Sequence, residues 1–321
     1  MNEHRLGATL SCVELFAGAG GLSLGIHKAG FDHLALIEWD KVSTKTLRRN
    51  GKRHLLVDES AVIECDVNHV DLAVYEGKTD LLAGGPPCKP FSMAGKRLGQ
   101  NDPRDMFPAF IKGVADVMPR AFLIENVRGL LRPAFQDYFD YTIKRLTFPL
   151  FAKREAETWQ EHLLRLRKLE RAEFDASETY VVSSQLVDAA DYGLPQRRYR
   201  VFISGFRSDL GLSPDHLLPT HSKEALFREQ WITGEYWDRY QISADQYLGP
   251  APSNGYRTRD GEDSLRAWRT VRDATSDLPT PVQRGVMEQF PNHVQVPGAR
   301  IYPPCHTGSY YDSPAKALKA G

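Results

Sequence analysis

The sequence predicts an α/β protein, a parallel sheet with helices on its faces, followed by a second, smaller and irregular domain. From Cys12 to Phe206 short apolar runs alternate with amphipathic stretches of helical length, as they do in chains that wind strand and helix around one sheet. Glycines or acids close several of those runs, on the carboxyl edge where open α/β sheets collect ligands. After Phe206 proline, glycine and aromatic residues are scattered and the periodicity weakens, which marks a change of domain. A chain of 321 residues, 41% of them apolar, is long enough for one large core and a smaller second one.

In chain order, strands are expected over 13–16, 34–38, 62–65, 80–83, 121–125, 180–186 and 200–205, where β-branched and leucine-rich runs are bounded by turn residues. Helices are expected over 22–29, 41–50 and 106–117, and a long charged one from about 135 to 171, with Leu163, Leu164, Leu166 and Leu169 as an apolar stripe. Forty-one basic and 41 acidic residues leave no net charge, so attraction to nucleic acid must come from a local patch. The four cysteines (Cys12, Cys65, Cys88 and Cys305) form no CxxC pair and no zinc-spaced cluster, which argues against a disulfide framework and predicts no metal. The start has no charged and apolar leader, and no run of about 18 apolar residues occurs. A cytoplasmic setting without a membrane span is expected.

The first chemically loaded stretch is Val13-Glu14-Leu15-Phe16 running into AGAGGLSLG. A strand turning sharply into a helix needs glycine where φ is positive or where a ligand nears the backbone, and Gly18, Gly20 and Gly21 offer that. The second strand ends in Glu38-Trp39-Asp40, about 20 residues on, where nucleotide-binding sheets place an acid for ribose hydroxyls. Trp39 is either a face for adenine or a partly buried core side chain, and Asp40 is equally readable as a helix N-cap. Asp66 closes the third run as a cofactor contact or a turn-forming aspartate.

GGPPCKPFS, residues 84–92, sets Cys88 among prolines after the fourth strand, an odd place for a structural cysteine. A thiolate is the nucleophilic form, favoured by partial exposure near positive charge. The fifth strand ends in Glu125-Asn126-Val127. A carboxyl there can donate a hydrogen bond while the neighbouring amide holds a polar ring, or it can serve as a plain cap or ion-pair partner. In the extended segment Gln196-Arg197-Arg198-Tyr199-Arg200, residues 196, 198 and 200 face one way and 197 and 199 the other. Such arginines are surface charge unless they hold a phosphate or carbonyl.

Taken together and in order, FAGAGG, Glu38-Trp39, Asp66, GGPPCKPFS, ENV and QRRYR closely resemble the cytosine-C5 DNA methyltransferases of bacterial restriction-modification systems. The resemblance implies a Rossmann-like S-adenosylmethionine-dependent methyltransferase sheet, with S-adenosyl-L-methionine as cofactor, S-adenosyl-L-homocysteine as product and double-stranded DNA as partner. By it, Phe16, Gly18 and Gly20 lie near the methionine part, Glu38 at the ribose, and Trp39 and Asp66 around adenine; Gly21 and Pro86 complete the cofactor set. Cys88 corresponds to the nucleophile for cytosine C6, Glu125 to the acid at N3, and Asn126 to the neighbour shaping the site. Arg198 and Arg200 match arginines that hold the cytosine and adjoining phosphate. Ser92, Arg97 and Gln196 fall on the DNA side, with Gly95, Lys96 and Gly99 suited to a lid that runs to about Arg104. Lys89 stands where many members carry glutamine.

The same resemblance divides the chain into residues 1–206 as the cofactor-binding catalytic domain, 207–305 as the target-recognition domain and 306–321 as the start of a truncated return segment. The family's closing motif and Gly-Asn segment are not found after HTGSYYDSPAKALKAG. Alternatives to a self-sufficient enzyme are therefore a truncated or split chain that binds DNA but is inactive alone, or one relying on a second chain for those motifs. A tRNA cytosine-C5 methyltransferase would use the same core. A nicotinamide dehydrogenase would have no use for Cys88 with Glu125. In the recognition segment Arg257, Arg259, Arg266, Arg269 and Arg272, with Tyr256 and Trp268, form either a groove-facing set or a solvated surface.

Overall fold

The computed structural model describes residues 9–52, 59–87, 105–243, 264–280, 282, 289–290, 293–295 and 308–317. The chain divides into two compact units, one of residues 1–186 with 200–216, the other of 187–199 with 217–321.

The first unit opens with β1 (Leu10–Leu15), α1 (Gly21–Lys28), β2 (Phe31–Glu38), α2 (Lys41–Lys52), β3 (Val62–Glu64) and β4 (Leu81–Gly84). It continues through α3 (Phe107–Val117), β5 (Ala121–Val127), α4 (Gln136–Thr147), α5 (Trp159–Leu166) and β6 (Tyr180–Asp188), and after the short β7 (Gln196–Arg197) returns as β8 (Tyr199–Arg207). The sheet has seven strands in the order β3-β2-β1-β4-β5-β8-β6. β1 pairs in parallel with both β2 and β4, so the chain reverses its direction of travel across the sheet there and leaves a crevice between the loops after β1 and β4.

Alternation along the strands builds the core. Val13, Leu15, Leu82, Phe122, Ile124 and Ile203 turn to one face. α3 lies on that face through Phe107, Phe110, Ile111, Val114 and Val117, a stripe at spacings of three and four. On the opposite face Cys12, Leu81 and Ala83 meet Ile26 of α1.

Two expectations are corrected. The sheet is mixed: β8 runs antiparallel to β5, with register Ala121↔Phe206 to Val127↔Arg200. Only residues 189–198 separate β6 from β8, without an α-helix, and a parallel neighbour needs a longer helical crossover. The single long helix is instead two. α4 ends at the Phe148 cap before Pro149, whose ring disfavours helical geometry in the preceding residue. α5 starts afresh at Thr158, whose hydroxyl accepts from the Glu161 N–H while the Glu161 carboxylate accepts from the Thr158 N–H. Leu163 and Leu166 are buried, Leu169 packs against the core, and Leu164 is exposed, outside the stripe.

α5 also brings a fully buried His162 against α4. A carbonyl only accepts, so Nε2–H donates to the Phe151 oxygen at 3.1 Å and Nδ1 accepts from the Tyr141 hydroxyl at 3.0 Å. Burial, helped by the Arg145 charge, lowers its pKa from 6.5 to about 4. The unfolded chain therefore binds a proton that the folded one refuses between those values. The stability contributed by neutral His162 is complete above about pH 6.5 and is lost as pH falls towards 4. In urea unfolding, the gap between wild type and His162→Gln is expected to narrow by about 2–3 kcal/mol from pH 7 to 4.5; a constant gap would refute the assignment.

The second unit contains β7, β9 (His221–Ser222), α6 (Lys223–Trp231), α7 (Glu235–Tyr240), β10 (Arg266–Ala267), α8 (Val271–Thr275) and β11 (Ala315–Lys316). Its core gathers Ala190, Leu226, Tyr236, Trp237 and Trp268. β9 pairs with β10 and β11 with β7, both in parallel. The groove-facing reading is corrected for two residues. Trp268 is buried and donates Nε1–H to Asp191 at 2.9 Å, as a large ring with one donor demands. Arg272 is spent inside the unit, its Nε donating to buried Asp312 at 2.6 Å. Arg266 and Arg269 are exposed, while Tyr256, Arg257, Arg259 and Cys305 lie outside the described residues. Among the described residues no helix is long and apolar enough to cross a membrane.

Candidate active site

The loop after β1 carries unusual backbone geometry. Phe16 has φ 58°, a left-handed conformation that a bulky residue adopts only when its surroundings impose it. Gly18 and Gly20 follow at φ 57° and 92°, and beside the Gly18 α-carbon there is open space, so a ligand can approach the backbone. Gly21 opens α1.

Glu38, at the end of β2, is buried and knits this loop to its own. One carboxylate oxygen accepts the Gly18 N–H at 2.8 Å; the other accepts those of Trp39 at 3.0 Å and Asp40 at 2.8 Å. Three donors on one carboxylate hold two strand ends in fixed relation. Asp40 also caps α2 by accepting the Ser43 N–H at 2.8 Å. Asp66 accepts from the N–H and the side-chain amide of Asn68 at 2.9 and 3.0 Å, and so makes the turn that the plainer reading expected.

Of these residues Phe16, Glu38, Trp39, Asp66 and Asn68 line a cleft of about 540 Å³, within the size range of small-molecule sites. Phe16, Ile37, Val67 and Met106 supply apolar wall, Glu38 and Asp66 the acids, and Gly85 and Pro87 the rim. Trp39 lines it with 73% of its surface exposed, which sets aside the core-side-chain reading. Cys65 and Met106 belong to the lining although neither is among the residues the sequence singles out for the cofactor. Cys65 had a usable signal, its place between the end of β3 and Asp66.

A second group lies along the ends of β4 and β5. The Asn126 amide donates to the Pro86 carbonyl at 3.1 Å, and its own oxygen accepts the Val127 N–H at 2.8 Å. Asn126 is thereby buried with its polar atoms used, and the Gly85-Pro86-Pro87 segment is fastened to β5. Glu125 is ion-paired with Arg200 Nε across the β5–β8 pair. Gly85 passes so close that a β-carbon on it would stand 3.6 Å from a Glu125 carboxylate oxygen.

The first unit thus brings Phe16, Glu38, Trp39 and Asp66 to one cleft, ties Gly18 to it through Glu38, with Gly20 and Gly21 further along that loop, and joins Pro86 to Asn126 and Glu125 to Arg200 along β5. Gln196 and Arg198 belong to the second unit, Gln196 on β7, where its backbone pairs with Ala315. Cys88, Lys89, Ser92 and Arg97 lie outside the described residues, and Cys88 directly follows the last described residue of the β4 loop, Pro87. Among the described residues no cluster of His, Cys, Asp or Glu is placed to hold a metal ion.

An open α/β sheet with a nucleoside-sized crevice at its order reversal, adjoined by an acid and an amide on the next strand, has the layout of a Rossmann-like methyltransferase. A sequence model of the C-5 cytosine-specific DNA methylases matches residues 10–148 and 153–251, and the chain belongs to that family. It is 38% identical over 197 residues to the Type II methyltransferase M.NgoMIV of Neisseria gonorrhoeae, covering 61% of this chain and 52% of the relative. It is 30% identical over 270 residues to the Type II methyltransferase M.AquIA of Picosynechococcus, covering 81% and 95%. Among solved structures, a Spodoptera frugiperda DNMT2 variant is 18% identical over 68% of this chain and 59% of that one, with a TM-score of 0.42. The chain spans about half the length of the first relative and nearly all of the second.

Proposed function

We propose that this chain transfers a methyl group from S-adenosyl-L-methionine to C5 of a cytosine in double-stranded DNA, within a restriction-modification system. The crevice suits the cofactor on its own terms. It pairs an acid with an exposed indole face and apolar walls, and open space at Gly18 leaves room for a close approach. Glu38 would take the ribose hydroxyls, Trp39 and Asp66 the adenine, and Phe16, Gly18, Gly20, Gly21 and Pro86 the methionine end. When bound, the cofactor supplies an electrophilic methyl group and is left as S-adenosyl-L-homocysteine.

The chain's own residues make the acceptor reactive. A cytosine within a duplex is out of reach and must be swung out of the stack. The Cys88 thiolate then forms a bond to C6, and Glu125 gives a proton to N3 as charge develops there. The ring electrons gather at C5, which accepts the methyl group. A base removes the C5 proton, the C6–S bond breaks with its electron pair returning to sulfur, and the N3 proton goes back to Glu125. Arg200, paired with Glu125, orients that carboxyl, and Arg198 and Gln196 meet the cytosine and its phosphate. Ser92 and Arg97 contact DNA from the stretch after Cys88, and residues 207–305 read the flanking bases.

The observation that carries this reading is the bond from Asn126 to the Pro86 carbonyl. It ties Pro86, two residues before Cys88 in sequence, to the strand that carries Glu125, which supports a shared role for the two side chains. Duplex DNA with 5-fluorocytosine blocks the final proton removal and tests it directly. A denaturation-resistant protein–DNA adduct that requires the cofactor and vanishes in Cys88→Ala is expected. Failure of the wild-type chain to form one, with cofactor bound, would refute the assignment.

A further inference from the structure

We propose, resting on the function just given, that Asp188 is a positioning residue that sets the register of the Gln196–Arg200 segment and so aims Arg198. Asp188 ends β6 with its side chain 4% exposed. A carboxylate so buried persists only with donors around it. One oxygen accepts the backbone N–H of Arg198 at 2.9 Å and, at 3.4 Å, that of Ala190; the other accepts Arg197 Nε at 2.9 Å. The Arg198 carbonyl in turn accepts the Ala189 N–H at 3.1 Å. The turn after β6 is thus stitched to position 198 from both sides.

Arg197 is consumed by the same arrangement. Its guanidinium lies 5.2 Å from the Tyr199 ring centre and 5.1 Å from that of Trp268, with Asp188 on its Nε. An arginine held by a buried carboxylate and two aromatic rings is an anchor rather than a DNA contact. In an extended chain neighbouring side chains point to opposite sides, so fixing Arg197 towards Asp188 and Trp268 directs Arg198 the other way. A slip of one residue would exchange the two arginines. Asp188 prevents that slip by gripping the backbone of one and the side chain of the other. Trp268, itself bonded to Asp191, extends the grip to the 264–275 stretch.

The test compares Asp188→Ala and Asp188→Asn in the full chain by amide hydrogen exchange and by the rate of adduct formation on 5-fluorocytosine duplex. Asparagine keeps an oxygen for the Arg198 N–H, whereas alanine leaves it unsatisfied. Asp188→Ala is expected to raise exchange over residues 196–199 by about tenfold or more, with peptides from β5 and α6 unchanged, and to slow trapping by a similar factor. Asp188→Asn should stay within about threefold of wild type in both. Unchanged exchange at 196–199 in Asp188→Ala would overturn the proposal. So would faster exchange there with wild-type trapping, or acceleration spread evenly over all peptides, which marks a merely structural role. If wild type itself forms no adduct, the functional reading fails and Asp188's part in it fails too, while the exchange result alone still judges the register tie.

Discussion

Replacing Glu125 by glutamine is expected to slow single-turnover methyl transfer by about 10²- to 10⁴-fold, the usual contribution of a positioned acid. Glutamine preserves shape and volume at the end of β5 but has no proton to give to N3, so charge built up by sulfur addition stays on the ring. It also leaves Arg200 without its carboxylate. That pair is partly open to solvent, with side chains 20% and 31% exposed, so its loss should hardly affect folding. The effect is therefore specific to chemistry. Cofactor affinity by calorimetry and the thermal midpoint should match wild type while the rate collapses. A rate within a few-fold of wild type would remove Glu125 from the mechanism.

Gly84→Ala is expected to have the largest effect on stability. A β-carbon there would stand 2.5 Å from the Leu15 carbonyl oxygen and 3.1 Å from the Phe110 ring. The nearer obstacle is backbone of the neighbouring strand, so relief requires β4 to move away from β1 and break the pairing Leu15↔Gly84. Overpacking of this kind destabilises by about 3 kcal/mol, which for a unit of this size lowers the thermal midpoint by about 6–10 °C. The displaced strand leads directly into Gly85 and Pro86, so trapping at Cys88 should fall at temperatures where the variant is still folded. A midpoint shift below about 2 °C would mean that the two strands separate without resistance.

Much of this was legible from residue order because it is local. The strands of the first unit are compact apolar runs, and the turn from Phe16 to Gly21 and the acid of Glu38 follow strand ends at short range. The division of α4 from α5 was also written locally, in Pro149 and in the Thr158–Glu161 capping pair, yet the charged helical composition on either side masked it. What stayed hidden depends on partners far apart in sequence. Nothing near Arg272 or Trp268 discloses that Asp312 and Asp191 claim them, so both read as surface candidates. Met106 enters the cleft only because α3 starts beside the loop after β4. Asp188 looks like an ordinary strand end until the chain folds back to present three donors.

The reversed direction of β8 has a consequence for how such an edge can be furnished. In an all-parallel sheet, one rim receives only the closing residues of each strand, and the opening residues sit on the far rim. β5 is seven residues long, so the two rims are separated by roughly 20 Å. Because β8 travels backwards, it contributes its first residues to the rim where β5 contributes its last, and Val127 stands opposite Arg200. A guanidinium from a strand's beginning thus meets a carboxyl from a strand's end without any loop having to span the sheet.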